Sequence, residues 1–376
     1  MRLIKRILIK STEALFQAYY SVVPKKDIDY QKEFKKIALI CTKPYGLGDL
    51  IMDTPFISSV RQGFPNSEIH LITDKDIFEK LKEVDKIKLV KGSYLSMNKQ
   101  FKELSEENYD LGIVMNRAIN QTLYLNSLKP RFKLGYLGGY SVLSNFTLKK
   151  KGSKFDKKEH FSNMALNIAD ALGIERKTDS IKPIYSAKTK TKVKKYFESL
   201  KLDKKKKNLC INPFVLWESR RWSENKYIEL IKQIHKEWNI ILYGGKDGLD
   251  ICKYIEQECS KNKIRLVNTC YKLNTKEAVE FLRYVDLLLT SDAGPMHFAF
   301  MMKCPTLAIF GPVDPKLRLP LKTKRIFDYI WYADYSKISQ YNYESKHIDK
   351  KMNGLLAIPV EDVKKKIDTF SKKGAF

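Results

Sequence analysis

The stretch CTKPYGLGDLIMDTPFISSVRQGFP, residues 41–65, decides the fold. The apolar run 37–41 leads into it and reads as a short buried strand. Two glycines, Gly46 and Gly48, turn the chain beside Asp49, and residues 53–63 then carry a helical apolar pattern. Strand, turn and helix open a βαβ unit, and the chain repeats that grammar. Residues 69–73 (IHLIT), 86–90 (KIKLV) and 111–115 (LGIVM) read as further strands, with helical segments at 76–83 and 99–106. Such alternation predicts a parallel sheet. A basic, loop-rich stretch at 131–160 and a helix at 160–172 close this half.

A helix running into lysines, 188–208, marks a boundary, and the alternation restarts. Strands are expected at 208–212, 239–243, 264–267, 285–290 and 305–310. Helices are expected near 224–237, 247–261, 275–284 and 294–302, with a last one following Pro359. The 376 residues exceed one ordinary core and suit two domains of roughly 150–180 residues. The expected fold is α/β, with two Rossmann-like domains facing each other. Ligands would then bind at the C-terminal ends of the strands.

Lysine and arginine total 70 against 43 acidic residues, a net charge of +27. That excess favours anionic partners: nucleic acid, acidic lipid headgroups or phosphorylated glycans. The spacing of a helix-turn-helix, an RNA-recognition motif or a zinc finger is missing, so specific nucleic-acid binding is not expected. The six cysteines, at 41, 210, 252, 259, 270 and 304, form no C-x-x-C pair. They read as buried thiols in a reducing cytosol, without zinc. No apolar run approaches the ~18–20 residues of a membrane span. In residues 1–23, Ile4, Leu8, Leu15, Tyr19 and Val22 share one helical face. Arg2, Lys5, Arg6 and Lys10 lie mostly opposite. This basic amphipathic helix could lie on an anionic membrane or pack on its own domain.

Four segments carry candidate chemistry. In the opening loop a dinucleotide fingerprint would need a third glycine where Ile51 stands, and no G-K-[ST] follows for a P-loop. Asp49 then has two open readings: a helix-capping aspartate, or a carboxylate able to take a proton from a hydroxyl. In LLLTSDAGPMHFAFMMKCPTLAIFGPVDP, 287–315, a strand ends at Asp292, and Ala293 and Gly294 turn the chain into a helix with His297 in its first turn. A helix N-terminus favours phosphate. In INPFVLWESRRWSENKY, 211–227, Arg220 and Arg221 suit a diphosphate, and Ser223 can cap the next helix. In YGGKDG, 243–248, Tyr243, Gly244 and Gly245 would let a base or ribose approach the backbone.

These segments in this order (G-L-G-D-L-I-x-x-T-P, R-R-W-S, Y-G-G, S-D-A-G-P-M-H and F-G-P-V-D-P) resemble glycosyltransferase family nine, the lipopolysaccharide heptosyltransferase family. The resemblance runs from about residue 37 to 370. It implies a GT-B architecture: an N-terminal acceptor domain (35–185), a C-terminal nucleotide-sugar domain (186–345) and a helical tail (346–376) packing back on the N-terminal domain, with the basic N-terminal extension (1–34) outside the family core. It also implies inversion at the anomeric carbon, with no metal and no cofactor beyond the donor. Asp49 falls at the family's proposed general base, in an acceptor-side loop with Gly46, Gly48 and Thr54. Asp292, Ala293, Gly294 and His297 fall in the donor-binding turn, joined by Arg220, Arg221, Tyr243, Gly244 and Gly245. Arg220 stands where members usually have lysine, which keeps the charge and changes its reach. The implied partners are ADP-heptose, a phosphorylated lipid-linked glycan and an anionic membrane surface. The implied location is the cytoplasmic face of the inner membrane. The alternatives are a relative transferring a hexose or N-acetylhexosamine and, from another class, a non-catalytic anion-binding protein. A nicotinamide oxidoreductase lacks its third glycine.

Overall fold

In the computed structural model the chain divides between Ile184 and Tyr185 into two units. Residues 2–136, 142–150, 159–217, 220–311, 313–321, 326–331 and 358–372 are described. The first unit contains α1 (Arg2–Val22), α2 (Tyr30–Glu33), β1 (Lys36–Cys41), α3 (Leu47–Met52), α4 (Thr54–Gly63), β2 (Glu68–Thr73), β3 (Lys86–Leu89), α5 (Tyr94–Leu104), β4 (Leu111–Val114), α6 (Ile119–Leu128), β5 (Phe132–Gly135), β6 (Leu143–Ser144) and α7 (Asn163–Leu172). The second contains α8 (Ala187–Ser199), β7 (Lys207–Asn212), α9 (Glu224–Ile234), β8 (Trp238–Leu242), α10 (Leu249–Lys261), β9 (Val267–Asn268), α11 (Thr275–Phe281), β10 (Leu287–Ser291), α12 (Gly294–Met302), β11 (Thr306–Phe310), β12 (Phe327–Trp331) and α13 (Val360–Lys372).

The central strands are apolar throughout because helices cover both faces of each sheet. In β1, Ile37 pairs with Ile69 and Leu111, and Leu39 with Leu71 and Ile113. In β10, Leu289 pairs with Ile211 and Leu307. The first sheet runs β3-β2-β1-β4-β5-β6 and the second β12-β11-β10-β7-β8-β9. Counted from the first strand of each unit, both orders are 3-2-1-4-5-6, the doubly wound arrangement. Crossovers reverse between β1 and β4 and between β7 and β10, and ligands bind at such switch points. Among the described sheet strands only β6 runs antiparallel.

Several elements differ from expectation. Residues 76–83 form turns, although Ile77, Phe78 and Leu81 are buried. Their backbone is held from outside: Ile184 N–H donates to the Lys80 carbonyl at 3.0 Å, and Arg61 Nε to that of Glu83 at 3.0 Å. The helix expected at 53–63 is α4, and a separate short helix, α3, precedes it from Leu47. Strands β5, β6 and β12 and helix α6 were not expected. The strand expected at 264–267 is the short β9.

Ile358, Val360, Val363, Ile367 and Phe370 belong to the apolar core of the second unit. Lys366 Nζ meets Asp328 of β12 at 2.7 Å. Most of the aromatic-rich stretch 320–350, and the tail ahead of Ile358, lie outside the described residues. All six cysteines are buried and unbridged. Among the described residues no helix is long and apolar enough to cross a membrane. In α1, Tyr20 and Phe16 join the first unit's core, whereas Leu15, Tyr19 and Val22 are 72%, 56% and 78% exposed.

Candidate active site

Both switch points carry the residues singled out in the sequence. In the first unit β1 ends at Cys41 and the chain enters α3 at Gly46. Gly46 adopts an extended conformation, φ −84° and ψ 178°, that any residue accepts. A Cβ there would meet only Asp49 Oδ2, at an ordinary 3.5 Å. Neither Gly46 nor Gly48 is among the positive-φ residues. The loop is therefore no strained glycine turn.

Asp49 occupies the third position of α3, and its Oδ2 accepts the Gly46 N–H at 2.7 Å. The side chain thus closes the helix N-terminus and remains half-exposed. The two readings of Asp49 are compatible: the capping bond fixes the carboxylate at the mouth of the β1 turn. Thr54 is different. It is fully buried, its hydroxyl donates to the Ile51 carbonyl at 2.7 Å, and it accepts the Ile181 N–H at 3.1 Å. It clamps the loop and presents nothing to an acceptor.

In the second unit β7 and β10 lie side by side, so the loops that follow them share one sheet edge. Arg220, on the β7 loop, reaches Asp292, at the end of β10. Its Nη1 lies 3.0 Å from Asp292 Oδ2 and donates to the Asp292 carbonyl at 3.2 Å. Both residues are buried, as are His297 and Arg318. Burial alone would push the Asp292 carboxyl up. Arg220, Arg318 and His297 beside it outweigh burial and hold it below the usual carboxylate range. A buried anion therefore anchors a cluster of cationic and polar side chains. Ala293 and the half-exposed Gly294 begin α12 next to it. A Cβ at Gly294 would meet only Phe298, at 3.9 Å, so the space beside Gly294 is open. His297 packs edge-to-face on Phe300, with ring centroids 5.7 Å apart.

Other expected donor contacts are placed otherwise. Arg221 donates from Nε to the Val215 carbonyl at 2.8 Å and lies over the Phe214 ring, which staples its own loop. Tyr243 is buried, stacks on Phe281 and donates to the Ala278 carbonyl at 2.8 Å. It is a core residue, and burial pushes its hydroxyl well up. Gly244 and Gly245 do form an accessible edge after β8. A Cβ on Gly244 would stand 3.4 Å from Asn212 Oδ1 and Cys270 Sγ, whereas one on Gly245 would meet nothing within 4 Å. Ser223 occupies the N-cap of α9 without a side-chain capping bond.

Arg318 escaped the sequence reading. It follows the F-G-P-V-D-P turn, and only the fold reveals that it faces Asp292. Asp53 also escaped, and it sits enclosed beneath the Asp49 turn. Among the described residues no group of three or more His, Cys, Asp or Glu side chains is arranged to hold a metal ion.

The model of glycosyltransferase family 9 (heptosyltransferase) matches residues 97–344. The chain belongs to glycosyltransferase family 9. It is a glycosyltransferase, and its two doubly wound units are those of the GT-B fold. It is 25% identical over 285 residues to lipooligosaccharide heptosyltransferase 2 of Campylobacter jejuni, covering 72% of this chain and 79% of that one. Its fold matches a solved family 9 glycosyltransferase from Veillonella parvula, with a TM-score of 0.75 and 19% identity over 92% of this chain and 99% of that one. It also matches ADP-heptose lps heptosyltransferase II of E. coli, with a TM-score of 0.70 and 17% identity over 89% and 98% of the two chains. Family 9 membership accounts for the order of motifs. It leaves the sugar, the acceptor and the base to be argued from the residues.

Proposed function

We propose that this family 9 enzyme moves heptose from ADP-heptose to a phosphorylated, lipid-linked glycan of the lipopolysaccharide or lipooligosaccharide core, with inversion and without a metal ion. The observation that carries the reading is the buried Asp292–Arg220 pair with Arg318 and His297, set at the N-terminus of α12. The heptosyltransferase names of its curated relatives support the sugar.

In this mechanism an acceptor hydroxyl attacks the anomeric carbon from the face opposite the nucleotide. The new carbon–oxygen bond forms as the bond to the diphosphate breaks, and the electron pair leaves on the phosphate oxygen. Asp49 accepts the hydroxyl proton, and the bond from Gly46 N–H fixes its orientation meanwhile. A placed base of this kind contributes about 10²–10⁴ in rate. Arg220, Arg318 and the N–H groups that begin α12 meet the charge growing on the diphosphate. Asp292 keeps Arg220 oriented. Gly244 and Gly245 leave room for the nucleoside.

The membrane part of the reading rests on α1 and the +27 net charge. Leu15, Tyr19 and Val22 would enter the interface of an anionic bilayer at the cytoplasmic face of the inner membrane, where a lipid-linked acceptor resides. The nucleotide is tested by thermal shift with ADP, UDP, GDP, CMP and NAD. A ligand at a hundredfold excess over its Kd adds about 2.7 kcal/mol. Selective stabilisation by ADP is expected. A preference for UDP or GDP would replace heptose by another sugar, and a response to NAD alone would refute the reading.

A further inference from the structure

Asp53 lies four residues beyond Asp49 and has no part in the chemistry above. It ends α3 and precedes α4, and its N–H donates to the Asp49 carbonyl at 3.0 Å. An aspartate at that place has a ready structural use, capping the next helix. Asp53 makes no capping bond. It is 1% exposed, and both of its carboxyl oxygens are enclosed without a hydrogen-bond partner among the described residues. Two hydroxyls that bond to this turn are committed to its carbonyls: Thr54 donates to that of Ile51, and Ser162, ahead of α7, to that of Met52, each at 2.7 Å. A carboxylate ion is strongly disfavoured in such a place. Burial pushes the Asp53 carboxyl well up, and the negative charge of Asp49 adds to the effect. A neutral side chain would fill the space without that conflict. A position that breaks the rules of burial beside a reacting group is where function is expected.

We propose that Asp53 is a positioning residue of glycosyl transfer, a second, enclosed carboxyl set one turn beyond Asp49 to govern the charge at that base. The proposal rests on the reading of Asp49 as the base. One turn of chain holds two carboxyls in opposite environments, Asp49 half-exposed and bonded to Gly46 N–H, Asp53 sealed. Environments that drive two such groups apart divide the roles between them. While Asp53 is neutral, the turn carries a single negative charge, on Asp49. Ionisation of Asp53 adds a like charge beneath it and opposes both the loop geometry and the approach of a phosphorylated acceptor.

The other titratable groups nearby do not compensate. Cys41 of β1 and Tyr136 after β5 are both pushed up by burial, and an ionised Asp53 would push each further. Asp74 and Lys75, after β2, act on Cys41. Arg117, after β4, and Glu159, ahead of α7, act on Tyr136. Neither cation is among the groups acting on Asp53.

The test is kcat/KM from pH 5 to 10 for wild type, Asp53→Asn and Asp49→Asn. Wild type is expected to lose activity at alkaline pH, with a slope approaching roughly tenfold per pH unit. Asp53→Asn, which cannot ionise, should lose that limb, so the ratio of variant to wild type climbs across it. Superimposable profiles overturn the proposal. Near-normal turnover by Asp49→Asn refutes the base itself. An inactive Asp49→Asn beside an Asp53→Asn that matches wild type refutes the role of Asp53 alone. If Asp53→Asn does not fold, the infrared spectrum of wild type labelled with ¹³C-aspartate decides at pH 8. A protonated-carboxyl band supports the proposal, and its absence overturns it.

Discussion

Removing the carboxylate of Asp292 should destabilise the second unit more than any surface change could. Its Oδ2 lies 3.0 Å from Arg220 Nη1, and it is the group that both buried arginines, 220 and 318, act upon. Breaking a buried pair by deleting one partner typically costs about 3–5 kcal/mol, because the remaining charge stays in a poor solvent. Whole domains are stable by only about 5–15 kcal/mol. Asp292→Ala should therefore lower the urea midpoint sharply. Replacing both partners, as Arg220→Met with Asp292→Leu, should recover much of the loss.

The assay can be confined to the right unit. All four tryptophans, 217, 222, 238 and 331, lie in the second one, so intrinsic fluorescence follows its unfolding. The pH dependence has a definite sign. The Asp292 carboxyl is held low in the folded state, so its contribution is fully present above the unfolded value of about 3.9 and is lost as pH falls through the folded value. The gap between wild type and Asp292→Asn should be constant from pH 8 to 5 and narrow below about pH 4. A cost below about 1 kcal/mol for Asp292→Ala, in the range of exposed pairs, would refute the buried anchor.

Further outcomes follow from the same geometry. Gly245→Ala adds a methyl group where nothing lies within 4 Å and where φ is −88°, so stability should hold or rise by about 0.4–1 kcal/mol while ADP affinity falls. Unchanged affinity would remove the nucleoside from that edge. Arg318→Met should weaken ADP binding about tenfold, or 1.4 kcal/mol, by isothermal titration, and equal affinities would exclude it from the diphosphate. Asp53→Asn should stabilise the first unit more at pH 8 than at pH 4. A carboxyl held high is a stabilising asset only below its unfolded value, and that is lost as pH rises toward the folded one. A pH-independent difference would mean that Asp53 is ionised or hydrated. Combined Leu15→Glu, Tyr19→Glu and Val22→Glu should abolish sedimentation with phosphatidylglycerol vesicles, and unchanged binding would refute docking through α1.

Most strands and helices were legible because buried parallel strands are short apolar runs between turns, and helices carry their own period. What failed had a tertiary cause. The helix expected at 76–83 lost its backbone bonds to Ile184 and Arg61. The half-buried β12 and the two-residue β6 lack a clean apolar pattern. At the site, the S-D-A-G turn and the G-L-G-D loop were readable because local chemistry makes them. Tyr243 and Arg221 bond within the fold, to the Ala278 and Val215 carbonyls, and a sequence cannot show this because an aromatic or cationic residue at a strand end looks alike whether it faces a ligand or the core. Arg318 and Asp53 were invisible for the converse reason: only folding brings one to Asp292 and seals the other away.

The central claim is that Asp49 removes the acceptor proton, and the Asp49→Asn variant tests it directly. Transfer of heptose from ADP-heptose to a phosphorylated lipid-linked core acceptor would be followed by the mass of the product, with donor affinity measured on the same protein. The account predicts a loss of about 10²–10⁴ in kcat with ADP-heptose affinity within about threefold of wild type. Turnover close to wild type, with the donor bound as before, would contradict it.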